Sequence, residues 1–440
     1  MNIFMTRNAI ACVAALSLSV LAATAGAQTV AITGGTVYPV SGAPIQNGTV
    51  VIRDGKIVAV GANAAIPDGA QRIDASGKIV TPGFIDASTQ LGVVEIGGER
   101  ETRDVNARGT NNVAASFRVW DGLNSESVNW GPARNEGVTS VVVAPAGGLV
   151  AGQAAVVDLV PELAHEMVRR APVAMVAQVE DPGDAGTGAR GELLGKLRTL
   201  LEDVRFYRAH RTDYDRANSR ELSASRADLE ALIPVIDGKL PLAIQADRVD
   251  DIEGALTLAH DFGLRIMIVG GAEAWLAAND LAAAHVPVIA GAMNNIPTSY
   301  QTLNQRQENV GILSKAGVPV AVIGNNGDGD EELTNVRNVK YEAGNAIAYG
   351  MSRDAALRAV TLAPAEMFGV ADHIGSLQVG RDANVVVWSG DPFEFGTRAE
   401  HVLIRGREMI APTRQDLLTE RYKTLPPSYA QPKPQVGAQP

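Results

Sequence analysis

The hydrophobic positions change rhythm along the chain. From Val30 to about Thr81, apolar and polar residues alternate in short runs such as Gly48-Thr49-Val50-Val51-Ile52 and Lys56-Ile57-Val58-Ala59-Val60. This alternation, with Asp54-Gly55 between two β-prone runs, predicts short strands and a hairpin. Strands so short cannot bury a core by themselves. Similar runs at residues 383–388 and 401–406 are their predicted complement.

Between these ends, β-prone runs alternate with helical ones. Strands are predicted near residues 80–86, 138–144, 154–160, 172–178, 240–246, 264–269, 286–292 and 318–323. Eight strands separated by helices are what a closed parallel barrel requires. The clearest unit runs from Asp250 to Gly263, with an acidic start, apolar Ile252, Ala255, Leu256 and Ala259, and a glycine stop. Residues 191–238 carry Leu193, Leu197, Leu200, Leu201 and Val204 at helical spacing, and predict an inserted helical pair whose leucine stripe packs on the barrel.

Composition narrows this picture. Of 440 residues, 46% are hydrophobic and few are aromatic, with abundant Gly and Ala, which suits helices packed over a parallel sheet. The formal charge of −11, without a basic block, argues against nucleic acid and anionic membranes as partners. Arg7, the apolar run from Ala9 to Ala23, and Ala25-Gly26-Ala27 have the form of a signal peptide cleaved after Ala27. Export to a periplasm, or secretion, is therefore expected. The apolar run falls short of the roughly 20 residues that span a bilayer, so no membrane anchor is expected. The only cysteine, Cys12, lies in this segment, so the mature chain would have no thiolate. From about residue 425 the chain is rich in Pro and Gln and is expected to be disordered.

Ile79-Val80-Thr81-Pro82-Gly83-Phe84-Ile85-Asp86 resembles the first barrel strand of the amidohydrolase superfamily. The resemblance extends to residues 361–369, 374–377, 380–384 and 389–393, and points to the exported, imidazolonepropionase-like group. It implies an α/β fold, a (β/α)8 TIM barrel with a small β-sandwich built from both ends of the chain. The implied divisions are residues 28–82 with 383–415 for the sandwich, 83–382 for the barrel, and 416–440 as an extension.

In that family the strand ends hold a catalytic metal through imidazoles and carboxylates. In this chain the first strand offers Asp86, Ser88 and Gln90, and the fourth offers Glu180. The fifth reads Gln245-Ala246-Asp247 where metal-binding members read His-Ala-His. The sixth has Gly270-Gly271 in place of the next histidine, and the eighth has Asn325-Asn326 at the place of the aspartate general base. His165, His210, His260, His285, His373 and His401 all read as surface or packing residues. Zinc needs imidazole, thiolate or carboxylate in a tight shell. No metal is therefore expected, with zinc the candidate should the degenerate site be filled. Oxygen-only Ca²⁺ binding by Asp328 and Asp330 is an alternative to a solvated acidic loop.

Two functional readings follow. In one, the chain is a non-catalytic ligand-binding protein or partner subunit, using Asp86, Ser88, Gln90, Gln245 and Asn325 to hold a small molecule. It would act as a homo-oligomer or beside an active relative. In the other, it hydrolyses carbon–nitrogen bonds of cyclic amides or dipeptide-like substrates through Glu180, Asp247 and Asn326, with carboxyl groups acting as acid and base.

Overall fold

Gly83 divides the first long apolar run between two sheets. In the computed structural model, which describes residues 29–179, 189–293, 297, 299–324, 334–412 and 414–424, β1 (Thr29–Val37), β2 (Ile45–Arg53), β3 (Lys56–Gly61), β4 (Gln71–Asp74) and β5 (Ile79–Pro82) join a small sheet. The next strand, β6 (Phe84–Thr89), belongs to the barrel sheet. The single expected strand over residues 80–86 is thus two strands. At Gly83 a Cβ would meet Thr139 Cγ2 at 2.1 Å, so no larger residue fits the junction. Its N–H donates to Asn384 O at 3.0 Å.

From β6 the chain passes α1 (Trp130–Asn135) to β7 (Val138–Val143) and β8 (Val150–Asp158), then α2 (Ala164–Met167) to β9 (Val168–Gln178). The helices α3 (Arg190–Ala209), α4 (Arg211–Asp215) and α5 (Arg226–Ile236) follow, with the expected leucine stripe of α3 buried. Then come β10 (Leu242–Ala246), α6 (Val249–Phe262), β11 (Ile266–Gly270), α7 (Ala278–Ala283), β12 (Val288–Ala290), α8 (Asn309–Ala316) and β13 (Val320–Val322), with α9 (Val339–Ala348), α10 (Arg353–Ala359) and α11 (Leu362–Met367) completing the helical layer. The strands pair in sequence order from β6 to β13. All eight expected barrel strands are present, but β8 runs antiparallel to both β7 and β9. The physical reason lies in the connections. Residues 144–149 are too few for the crossover of a dozen or more residues that parallel strands need, and they turn the chain back through Gly147 and Gly148. Hydrophobic runs, from which these two strands are predicted, carry no direction.

Ile85, Ala87, Val142, Ala243, Met267 and Ile289 fill the barrel interior, and α11 packs against this cluster with Ala363, Ala365 and Met367. The outward faces of the strands join the helices in a larger apolar layer. No backbone ladder joins β13 to β6 among the described residues. That seam is bridged by Gly324 N–H donating to Asp86 Oδ2 at 2.8 Å and Ile85 N–H donating to Val360 O at 2.8 Å.

β14 (Val385–Trp388), β15 (Ala399–Ile404) and β16 (Arg407–Glu408) return to the small sheet, where β14 pairs antiparallel with β5. The chain ends meet as expected, but in one hydrogen-bonded sheet ordered β16-β15-β14-β5-β1-β2-β3, with β4 beside β1. It curls until β3 meets the segment leading into β14, through Ile57 N–H to Arg381 O and Gly380 N–H to Ile57 O. Trp388, fully buried, donates Nε1–H to Thr81 Oγ1 at 2.8 Å and packs on Phe84 at 4.9 Å, fixing this sheet to the barrel. The last described helix is α12 (Arg414–Tyr422), none of whose side chains is buried. The expected signal peptide and the tail from residue 425 lie outside the described residues.

Candidate functional site

Strand order brings the C-terminal ends of β6, β10, β11, β12 and β13 to one mouth, where parallel barrels carry their chemistry. Two groups of buried and half-buried carboxylates hold its rim.

Asp86 belongs to the first. It is fully buried; Oδ1 accepts from Ser88 N–H at 3.0 Å, and Oδ2 accepts from Gly324 N–H. Burial raises its pKa from 3.8 to about 7 against the opposing pull of these two N–H donors, and the neighbouring Glu342 charge raises it further. Glu342, on the apolar face of α9 beside Val339 and Ala343, is 2% exposed. It accepts from the N–H groups of Ala292 and Met293 just beyond β12. Asn345 donates to Gln307 Oε1 at 2.8 Å and to the carbonyl of Ala292. Asp86 therefore ties the end of β6 to that of β13, and Glu342 and Asn345 tie the end of β12 to α9.

Asp247 anchors the second group. Its Oδ1 accepts from Ala272 N–H at 3.0 Å, and its carbonyl accepts from Glu273 N–H at 2.8 Å. Glu273, 4% exposed, accepts from Val249 N–H at 3.0 Å and Asn304 Nδ2 at 2.9 Å. Gly270, at the end of β11, has φ +88°, and a Cβ there would lie 2.5 Å from Asp247 Oδ1. Gly271 follows at φ +63°. Through Oδ1 the half-buried Asp247 carboxylate thus holds the loop after β11, resting where a side chain at position 270 would begin.

Gln245 is exposed at the end of β10, and Ser88 is half-buried. Gln90 is only 8% exposed, and its Oε1 has no hydrogen-bond partner among the described residues. Glu180, Asn325, Asn326, Asp328 and Asp330 lie outside the described residues. Among the described residues, no group of three or more His, Cys, Asp or Glu could hold a metal ion. The donors that stand at the mouth, Ser88, Gln90 and Gln245, are neutral. Asp86 and Asp247 already accept from backbone N–H groups, so this set does not fit a zinc shell. Sequence reasoning does not single out Glu342, Glu273 or Asn345. The one available signal was an acid on the apolar face of α9.

An α/β barrel with its mouth at the strand C-termini defines the class, and comparison with known proteins sharpens it. The model of the Amidohydrolase family, Amidohydro_3, matches residues 346–410. The imidazolonepropionase of Mesorhizobium japonicum is 25% identical over 380 residues, covering 78% of this chain and 87% of that protein. Amidohydrolase tasK of Hapsidospora irregularis is 24% identical over 399 residues, and the match covers 82% of this chain but 39% of that longer protein. The crystal structure of an amidohydrolase from Thermotoga maritima superposes with a TM-score of 0.77 at 28% identity, over 86% of this chain and 99% of the other. These matches support a place for the chain in the amidohydrolase superfamily, with imidazolonepropionases among the proteins it is similar to.

Proposed function

We propose that this protein is a ligand-binding member of the superfamily that does not run the family's metal chemistry. The observation that carries this reading is the Asp247 carboxylate seated over Gly270, which fills the place of a further ligand side chain with a loop clamp. Neutral Gln90 and Gln245 suit a small, polar, uncharged ligand. The unsatisfied Gln90 Oε1 costs about 1–3 kcal/mol until a donor reaches it, which favours a ligand bearing N–H groups, such as a cyclic amide or a dipeptide-like amide. On this reading the chain acts after export, as a homo-oligomer or beside an active relative.

The test combines metal analysis of full-length protein purified without chelator, a thermal-shift screen of cyclic amides and dipeptides, and an amide-hydrolysis assay. A ligand that binds the native state raises the melting temperature. Stoichiometric zinc together with metal-dependent hydrolysis would overturn the proposal.

A second reading is favoured by Asp86, whose pKa of about 7 suits it to exchange a proton near neutrality. Here the chain is a hydrolase of carbon–nitrogen bonds with a metal-free polar site that includes Glu180, Asp247 and Asn326. Hydrolysis that survives chelation and is lost in Asp86→Asn, Glu180→Gln and Asp247→Asn supports it; absence of turnover on cyclic amides and dipeptides removes it.

A further inference from the structure

Away from the barrel mouth, a groove of about 1040 Å³ opens between α1, β15 and α12. Arg337, Arg398 and Arg414 line it, all exposed. Among the described residues, none of the three side chains makes an ion pair or hydrogen bond. Two carboxylates share the lining. Glu136 is already held by Lys340 Nζ at 2.5 Å, and Asp416 also has a partner. The local balance is positive on a chain whose formal charge is −11. Apolar surface lies beside the guanidinium groups, with Val128 64% exposed and Ile410 37% exposed. Along α12, Leu417 and Tyr422 are 60% and 55% exposed.

Unpaired guanidinium groups are preorganised to grip carboxylates in bidentate fashion. The groove is at the upper end of the roughly 300–1,000 Å³ of small-molecule pockets, and it is open. Charge and shape together suit a chain segment that alternates acids with apolar anchors. We propose that this groove is a docking site for an acidic, partly apolar peptide segment of a partner protein, gripped by Arg337, Arg398 and Arg414. Val128, Ile410 and Leu418 take the apolar side chains, and α12 forms one wall. The site is independent of the barrel mouth and of what binds there.

The probe is a fluorescein-labelled peptide of alternating Glu and Leu, followed by anisotropy on the full chain, with a Lys-Leu peptide as control. Two triple variants carry the same change in net charge: Arg337→Gln/Arg398→Gln/Arg414→Gln in the groove, and Arg53→Gln/Arg72→Gln/Arg108→Gln at exposed positions elsewhere. The expected result is binding of the Glu-Leu peptide alone, weakened about ten-fold in the groove variant and unchanged in the other. Arg337→Lys/Arg398→Lys/Arg414→Lys keeps the charge but not the fork, and is expected to fall between. Three outcomes overturn the proposal: no binding of the acidic peptide, equal loss in both Gln variants, or full displacement of the peptide by acetate at matched ionic strength, which marks a site for small anions.

Discussion

The Asp247 carboxylate occupies the space in which a side chain at position 270 would stand, 2.5 Å from where a Cβ on Gly270 would be. Position 270 is thus closed twice, by this contact and by a φ of +88° that L-residues rarely adopt. Gly270→Ala is expected to cost about 2–4 kcal/mol, from backbone strain plus overpacking. In an Asp247→Ala background the overpacking part disappears and only the strain remains. Chemical denaturation of the four proteins in this cycle checks it; strictly additive effects would show that the two residues do not interact.

Asp86 sets a pH dependence. Its folded pKa of about 7 lies above the unfolded value of 3.8, so between these limits the folded state holds a proton that the unfolded state releases. The favourable contribution is complete below about pH 4 and is lost as pH rises through about 7, a loss on the order of 4 kcal/mol at most. Asp86→Asn is expected to flatten this part of the stability profile. Denaturation midpoints across the range measure it, and an unchanged slope in the variant would assign the effect to other groups.

Glu342→Gln leaves one amide oxygen to stand where Oε2 accepts from both Ala292 and Met293 N–H, but removes the charge that strengthens those two bonds. The expected loss is about 1–3 kcal/mol, with faster amide exchange at those two residues. Because the Glu342 charge contributes to raising the Asp86 pKa, the variant's pH transition is expected to move to lower pH. Hydrogen exchange and the pH profile read the two effects separately.

Gln90→Met removes the unpartnered buried oxygen while keeping the side chain's length. The ligand-free protein is expected to gain about 1 kcal/mol in stability. The same change is expected to abolish the thermal shift given by an amide ligand. A variant that is stabilised yet still responds to the ligand would show that Gln90 does not contact it.

The fold was legible wherever it rested on hydrophobic rhythm. The eight barrel strands, the Asp54-Gly55 hairpin and the buried stripe of Leu193, Leu197 and Leu200 all announce themselves by spacing. Strand direction did not, because the runs at β7 and β8 look the same whichever way the second is laid down. The site was legible only in part. Asp86 was recognised at the end of its strand, but its role in bridging β6 to β13 depends on Gly324, 238 positions away. Asp247 shows its charge in the sequence but not its engagement with Ala272 N–H, 25 positions away. Glu342 was invisible for a similar reason, since its partners are backbone groups of a distant loop.

Gly83 gives the opening half of its motif a mechanical duty. Pro82 ends a strand of one sheet, Phe84 begins a strand of the other, and the residue between them is pinned by Asn384 and Thr139. The stretch from Pro82 to Asp86 is a weld, needed for the two sheets to share one frame whatever happens at the mouth. Residues 88 and 90 stand downstream of that weld and can change without loosening it. The stretch therefore records how the two sheets are joined, and it does so whatever residues stand at positions 88 and 90.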